Sequence, residues 1–445
     1  MKINIFDRYN ETTKKLMRSL DTAALSRQSL FVHYDGELPK GGLSPYSFFS
    51  GISDEGDSKG LFFNQVSVPE FYDIRHLDGG RAAIEIYKKR VGIIHYRKQG
   101  YRLVHSVDWF SEENSTLVVK KDFYNLSGRH YASTYYGPKG AYQTDYYNLK
   151  GQVRVSEDLA HHVIKLIEKS KVHHFDNVTQ FFLYFMKVAK IDPSDIYINS
   201  LSYPLFISRA LNIGRQTTLF WQEELGNDVP GNMRGELENA LALKRIIFEQ
   251  EKHLEQVKKG FPETFVELGY LSAIGEFTRA NQYRPQAFIL TNSDNIYGLQ
   301  DILTNFPELQ ITVAAYTNMS TKLLHMEEEY SNIQLIPSIN EERLKLELEK
   351  ADIYLDINRG LKVGEILKWA YEQNMLIFSY KEVANSKNPA LVFDEVRDLC
   401  NHLSYILTDR ANWQKLLTKM VQSAGPLSSV QDYYEQLVGE AIERN

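Results

Sequence analysis

The chain has 445 residues, enough for two or three domains at the usual ~100–200 residues each. Lys and Arg total 51 against 57 Asp and Glu, a net charge of −6, which disfavours a chain-wide nucleic-acid binder because phosphate recognition needs a basic excess. The one cysteine, Cys400, excludes an internal disulfide framework and a multi-cysteine metal site, and no apolar run approaches the ~18–20 residues that span a bilayer.

Met1 to Asn10 carries Asp7 and Arg8 and lacks the apolar stretch of a signal peptide, so the expected compartment is the cytoplasm. Tyr9, Leu16, Leu20 and Ala24 recur at helical spacing and predict a helix over Phe6 to Leu25. A short strand is expected over Ser29 to Tyr34, then a loop at Pro39-Lys40-Gly41-Gly42. From Pro45 to about Val155 the period shifts toward 2. Val66, Val68, Ile84, Ile86, Val91, Ile93, Leu103, Val107, Leu117 and Val119 alternate with polar or aromatic residues, and Gly-containing turns punctuate the run. This pattern predicts hairpins in an antiparallel sheet with one packed and one wet face.

The same region is distinctive in composition. Ten of the 28 tyrosines lie in the 61 residues from Tyr87 to Tyr147, and Arg81 to His130 holds ten Lys or Arg against five Asp or Glu. A local excess of +5 in a chain of net −6 points to a module with its own surface task. Partner docking is one such task, since Tyr and Arg concentrate at interfaces, and the candidates are Lys88, Lys89, Arg90, Tyr96, Arg97 and Tyr101. A plain solvated sheet, or contact with anionic lipid through Lys88-Lys89-Arg90 and Arg97-Lys98, fits the same composition.

Asp158 to Glu168 reads as a helix, and strands and helices alternate thereafter. Helices are expected over Val178 to Ala189, Tyr203 to Leu211 and Arg234 to Lys259, with strands at Asp195 to Asn199 and Gln216 to Trp221. The second half repeats the alternation with strands at Gln286–Leu290, Gln310–Ala315, Asn332–Ile336, Asp352–Ile357 and Met375–Phe378, separated by four helices, and Ser429 to Arg444 is a last helix. Such alternation predicts two doubly wound parallel sheets, whose ligands sit beyond the C-terminal strand ends.

His161-His162 and His173-His174 have no partner carboxylate at ligand spacing, so no metal is expected. Glu223-Glu224 reads as solvated loop charge rather than an acid/base pair. Asp352 and Asp356 bracket one strand and read as surface or strand-end positions.

Residues Ala351 to Lys381, with the strand DIYLDI and the loop NRG before a helix, resemble the C-terminal lobe of retaining GT-B glycosyltransferases. In that resemblance Glu365 matches the second of two conserved-type acidic positions, Asn358 and Gly360 match the glycines of the helix entry, and Ile357 stands where the donor-sugar carboxylate belongs. Leu290 to Gly298, where the resemblance implies a basic pair for the diphosphate, holds no Lys or Arg and carries Asp294. The N-terminal half has only Gly41-Gly42 for a glycine-rich loop.

The whole chain resembles the GtfB family, through FDRYN at Phe6–Asn10, SPYSFFSG at Ser44–Gly51, FFNQVSVPEFYDIR at Phe62–Arg75 and ANQYR at Ala280–Arg284. The resemblance implies an α/β, GT-B fold of two Rossmann-like lobes with an antiparallel sheet inserted in the first. The expected division is 1–44 with 158–283, the insert 45–157, the second lobe 284–428 and a terminal helix 429–445. It implies a non-catalytic subunit, without cofactor, that stabilises a GtfA-type transferase. It further implies binding of a Ser/Thr-rich acceptor of the serine-rich-repeat adhesin class while GlcNAc passes from UDP-GlcNAc to Ser or Thr. The site would be peripheral to the cytoplasmic face of the cell membrane, in a hetero-oligomer with the transferase. The acceptor or its sugars would meet Asn358, Arg359, Gly360 and Glu365; Glu365 at a helix start also suits the helix dipole with no ligand. An active retaining GT-B enzyme and a stand-alone glycan-binding protein remain alternatives.

Overall fold

The sequence KINIF buries every residue after Lys2, as a strand packed on both faces must, and β1 (Lys2–Phe6) occupies a place in the middle of a parallel sheet. The helix expected from Phe6 therefore starts later, as α1 (Glu11–Thr22). Asn10 caps it, its side chain accepting from the Thr13 backbone N–H at 2.9 Å, a contact worth about 1 kcal/mol. The computed structural model describes residues 1–52, 60–78, 80–97, 102–169, 171–226, 228–274, 277–360, 366–384, 390–423 and 428–439. Two compact units emerge: Met1–Ile274 with Leu427–Asn445, and Gly275–Pro426.

In the first unit, β2 (Gln28–Phe31) pairs with β1, and α2 (Pro45–Ser50) follows. The inserted sheet then runs through β3 (Asp73–Asp78), β4 (Arg81–Ile86), β5 (Lys89–Tyr96), β6 (Val104–Phe110), β7 (Val118–Tyr124), β8 (His130–Gly137), β9 (Gly140–Tyr147), β10 (Val153–Asp158), β11 (Val163–Glu168) and β12 (Lys171–Phe175). Among the described residues these ten strands pair antiparallel in chain order, a meander. The helix expected over Asp158 to Glu168 is absent. VIKLIE buries Ile164 and Leu166 on one face, a period of 2 that the strand satisfies, and pairs on both sides. The sheet begins after residue 45 and ends after residue 157, at Phe175.

The remaining first-unit elements are α3 (Val178–Val188), β13 (Asp195–Ile198), α4 (Tyr203–Leu211), β14 (Thr217–Trp221), α5 (Gly231–Asn239), β15 (Leu243–Phe248), α6 (Glu251–Gly260) and β16 (Glu267–Tyr270). The single helix expected over Arg234 to Lys259 is thus two helices around a strand. Lys244 and Arg245 disguise β15, although Leu243, Ile246, Ile247 and Phe248 are buried. The parallel order is β16-β15-β14-β13-β1-β2. One half of the meander joins this unit's core through Ala132, Val155, Ile164, Leu166 and Phe175, packed with Phe181 and Phe185 of α3. The other half has its own core of Ile84, Ile94, Tyr96, Val107 and Tyr124 beneath Val66, Val68 and Tyr72.

The second unit holds β17 (Gln286–Thr291), α7 (Leu299–Asn305), β18 (Gln310–Ala315), α8 (Thr321–Glu329), β19 (Ile333–Ile336), α9 (Glu341–Lys350), β20 (Ile353–Asp356), α10 (Ile366–Glu372), β21 (Leu376–Tyr380), β22 (Leu391–Phe393), α11 (Val396–Thr408) and α12 (Arg410–Ser423). Its parallel order, β19-β18-β17-β20-β21-β22, reverses between β17 and β20, the switch point of a Rossmann sheet. The last helix, α13 (Val430–Leu437), returns to the first unit, where Tyr433 is buried and its hydroxyl donates to the Ser272 carbonyl at 2.9 Å. The fold is therefore the expected one: two Rossmann-like units, as in GT-B, with an antiparallel sheet inserted in the first.

Candidate functional site

Doubly wound sheets bind ligands where strand order reverses, because the loops leaving two neighbouring strands part there. In the second unit those loops are 292–298 after β17 and 357–360 after β20. Here they are tied to one another. Ile296 and Asn358 form a backbone bridge, Tyr297 N–H donates to the Ile357 carbonyl at 2.9 Å, and Arg359 N–H to the Asn295 carbonyl at 3.0 Å. The Asn358 side chain completes the closure. Its Oδ1 accepts from Thr291 Oγ1 at 2.8 Å and from Gly360 N–H at 3.2 Å, and its Nδ2 donates to Asn292 Oδ1 at 3.1 Å. A Cβ on Gly360 would stand 2.0 Å from Asn292 Oδ1, so glycine here permits the close approach.

Arg359 is also engaged. Its guanidinium lies 4.0 Å from the Tyr297 ring centroid, and Nη2 lies 2.9 Å from Glu382 Oε2. Ile357 is fully buried in the second unit's core. The structure thus brings Asn358, Arg359 and Gly360 together, while Glu365 lies outside the described residues. The Asp356 side chain accepts from Ser379 Oγ at 2.7 Å. Asp352 corrects the sequence reading more sharply. It is 0% exposed and faces both Arg279 and Arg284, because the segment before β17 folds back over the start of β20.

The docking candidates scatter. Tyr87 and Lys88 form the β4–β5 turn with positive φ (46° and 68°), and Tyr87, Lys88, Lys89 and Arg90 are exposed. Tyr96 is not a surface residue: it belongs to the meander core, 8% exposed, with its hydroxyl 3.0 Å from His76 Nδ1. The strand period explains this, since Ile94 and Tyr96 share the packed face. Arg97 is half-buried and donates to the Tyr124 carbonyl, bracing two strands. Tyr101 and Lys98 lie outside the described residues.

The meander's centre holds a polar network that no sequence motif announces. Asp122, 5% exposed, accepts from Trp109 Nε1 at 2.6 Å and Ser133 Oγ at 2.5 Å, with His130 Nε2 at 3.3 Å and Lys120 Nζ at 3.1 Å. Burial would raise its carboxyl, but the hydrogen bonds from His130 and Ser133 overcome it and hold the pKa at about 2. Tyr135 and Tyr147 hydroxyls meet at 3.3 Å beside it.

A second unannounced cluster sits at the first unit's switch point, between β1 and β13. Asp7 N–H donates to Asn199 Oδ1 at 3.1 Å, and His33 Nε2 lies 3.8 Å from Asp7 Oδ1, which is buried without a hydrogen-bond partner. Arg8 Nη1 grips Asp35 at 2.6 and 2.8 Å. From the meander, Glu157 Oε2 accepts from Tyr46 OH at 3.3 Å. Burial lowers His33, helped by the Arg8 charge, and burial raises Glu157, so both groups lean toward their neutral forms. The signal available in sequence was FDR directly after a strand, hidden once Phe6 is read as a helix start.

The rejected candidates have plain structural roles. Glu224 accepts from Gln250 Nε2 at 2.8 Å and Lys252 Nζ at 2.9 Å. His161 pairs with Asp158 at 2.9 Å and His173 with Glu168 at 3.4 Å. Among the described residues no group of three or more His, Cys, Asp or Glu is placed to hold a metal ion.

Four domain families match in succession: the GtfB N-terminal domain over residues 3–49, the GtfB middle domain over 72–176, the GtfB third domain over 178–259, and the GftB/GlyA-F C-terminal domain over 287–420. The chain is similar to the UDP-N-acetylglucosamine–peptide N-acetylglucosaminyltransferase stabilizing protein GtfB of Limosilactobacillus reuteri subsp. suis, at 31% identity over 98% of this chain and 99% of that one. The protein of the same description from Streptococcus gordonii is 32% identical over 98% and 99%. A solved chain from a GtfA/B complex bound to UDP and GlcNAc superposes with a TM-score of 0.87 at 30% identity, covering 99% of this chain and 100% of that one.

Proposed function

Because this chain belongs to the GtfB family, we propose that it is the non-catalytic subunit of a protein O-glycosyltransferase complex. It stabilises a GtfA-type catalytic subunit and holds the Ser/Thr-rich adhesin acceptor while that subunit transfers GlcNAc from UDP-GlcNAc. The observation that carries the non-catalytic part is the closed switch point of the second unit. A donor diphosphate needs open loops and cations facing it. Here Asn358 stitches the two loops together, Leu290 to Gly298 supplies no cation, and Arg359 is engaged by Glu382 and Tyr297.

A flexible hydroxyl-rich acceptor offers little apolar area, so its retention calls for polar and aromatic surface and for tethering beside the active subunit. Asn358, Arg359, Gly360 and Glu365 are the candidate contacts in the second unit, and the exposed hairpin Lys88-Lys89-Arg90 with Tyr87 is the candidate docking surface for the partner. No described helix is long and apolar enough to cross a membrane. The subunit works peripherally, on the cytoplasmic face of an anionic membrane.

The test is transfer from UDP-GlcNAc to a Ser/Thr-rich polypeptide, by this chain alone and with a GtfA-type partner. No transfer alone and robust transfer together are expected. Turnover by this chain alone would overturn the non-catalytic reading.

A further inference from the structure

The first parallel sheet has its own switch point, where loops 7–10 and 199–202 leave the C-terminal ends of β1 and β13. The corresponding loops of the second unit share backbone hydrogen bonds. These two are joined, among the described residues, by a single hydrogen bond, Asp7 N–H to Asn199 Oδ1 at 3.1 Å.

The Asp7 carboxylate stands at this point without a donor. Among the described residues neither oxygen accepts a hydrogen bond: Oδ1 is buried with His33 Nε2 3.8 Å away, and Oδ2 lies 3.9 Å from Arg8 Nε. The side chain as a whole is 29% exposed, so a ligand can reach it. A carboxylate drawn this far out of water is normally hydrogen-bonded, and leaving it bare costs stability. Arg8, the next residue, has donors to spare. Its Nη1 grips Asp35 at 2.6 and 2.8 Å, and among the described residues no other nitrogen of the guanidinium is hydrogen-bonded, while the side chain is 45% exposed.

A bare acceptor beside a spare donor selects a ligand that carries both kinds of group. An extended polypeptide offers carbonyl oxygens and N–H groups in turn, and Ser and Thr add hydroxyls. A diphosphate fits poorly, because Asp7 and Asp35 face one guanidinium that Asp35 already neutralises, and Glu157 of the meander lies in the field of the same Arg8. A sugar ring fits poorly too. The rings nearby are engaged with one another, Tyr203 with His33 at 5.6 Å between centroids and Tyr46 with Tyr146 at 4.4 Å, instead of being presented as a platform.

We propose that Asp7 and Arg8 are specificity-determining contacts for the acceptor polypeptide, Asp7 accepting from its hydroxyl or backbone N–H groups and Arg8 donating to its carbonyls. The inference rests on the acceptor-holding reading above and adds a contact in the first unit to the loop of the second.

Fluorescence anisotropy of a labelled, unglycosylated Ser/Thr-rich polypeptide tests it, with the full chain in complex with a GtfA-type partner and no UDP-GlcNAc present. Asp7→Ala and Arg8→Gln should each weaken binding at least about ten-fold, the scale of one lost hydrogen bond to a charged group. Asp7→Asn, which still accepts, should weaken it less. The Asp7 carboxylate makes no hydrogen bond within the fold, so Asp7→Ala should keep or raise the melting temperature and leave assembly with the partner intact. A lowered melting temperature in both Asp7 variants would make the residue structural and overturn the proposal. Inorganic pyrophosphate should not compete; competition would assign the site to a phosphate and overturn it. Weakening confined to a polypeptide already bearing GlcNAc would make this a sugar contact and overturn it likewise. Unchanged binding in Asp7→Ala and Arg8→Gln would overturn the proposal, and loss of binding in Arg359→Ala would then leave the acceptor reading standing. Binding by the complex no tighter than by the partner alone would overturn both.

Discussion

Arg284 Nε lies 2.9 Å from Asp352 Oδ2, across 68 residues of chain, and Arg284 Nη2 meets Oδ1 of the same carboxylate at 3.1 Å. The same carboxylate accepts from Arg279 Nη1 at 2.5 Å and from the backbone N–H groups of Gln282 and Arg284. Asn281 adds two hydrogen bonds, to the Asp352 and Asn374 carbonyls. The ANQYR segment that carries part of the family resemblance is therefore the lock that starts β17 beside β20. It sets the register of the two strands whose C-terminal loops make the switch point.

Asp352→Ala removes the acceptor for two guanidinium groups and two backbone donors in a buried setting. A loss of about 3–5 kcal/mol of second-unit stability is expected, read by chemical denaturation. Asp352→Asn should cost less, because the amide oxygen still accepts. Equal losses in the two variants would contradict a charge-based lock.

Asp122 and Glu157 should give opposite pH dependences. Asp122 has its pKa depressed to about 2, so its contribution is present above the unfolded value of about 4 and is lost as pH falls from 4 toward 2. Asp122→Asn should flatten stability over that window. The Glu157 carboxyl is raised by burial, so its folded form favours the proton. Its stability is fully present below the unfolded value and is lost as pH rises through the folded value. Glu157→Gln should raise stability near neutrality relative to the parent chain, measured by thermal denaturation across pH 4–8.

Tyr96 and the Lys88-Lys89-Arg90 hairpin should separate folding from docking. Tyr96→Ala empties part of the meander core and should cost about 3–5 kcal/mol. The triple alanine variant of the hairpin should leave the melting temperature unchanged and slow association with the catalytic partner, with a weaker salt dependence. Unchanged association kinetics would remove the hairpin from the docking surface.

Ile357→Glu supplies the carboxylate that the resemblance to retaining GT-B transferases implies at this place, but not the chemistry. Ile357 is 0% exposed within the second unit's core, so an ionised side chain there should destabilise that unit by several kcal/mol. No transfer activity is expected from the variant alone, by the UDP-GlcNAc assay. Gain of turnover would mean the closed loops open readily.

Much of the architecture was legible because long-range order rode on local pattern. In the second unit, apolar runs such as QITVAA and MLIF are short, bounded by polar helices, and too regular to be anything but buried parallel strands. Where period and polarity conflict, the reading failed. VIKLIE fits both a helix face and a strand face, and Lys244-Arg245 hid β15 inside a charged stretch. In each case pairing partners decide, and those lie far away in sequence.

The sequence by itself determined the alternation of strands and helices, the Tyr-rich basic insert and the absence of Lys or Arg from Leu290 to Gly298, because these depend on residue identity and spacing. Only the tertiary structure decided that Asp352 is a buried lock, that Tyr96 faces a core, and that Asp7, His33 and Asn199 meet at one switch point. It also decided that Phe265 and Leu241 are left in solvent. Burial and electrostatic environment arise from residues brought together across the fold, and a linear pattern carries no record of which groups will share a space.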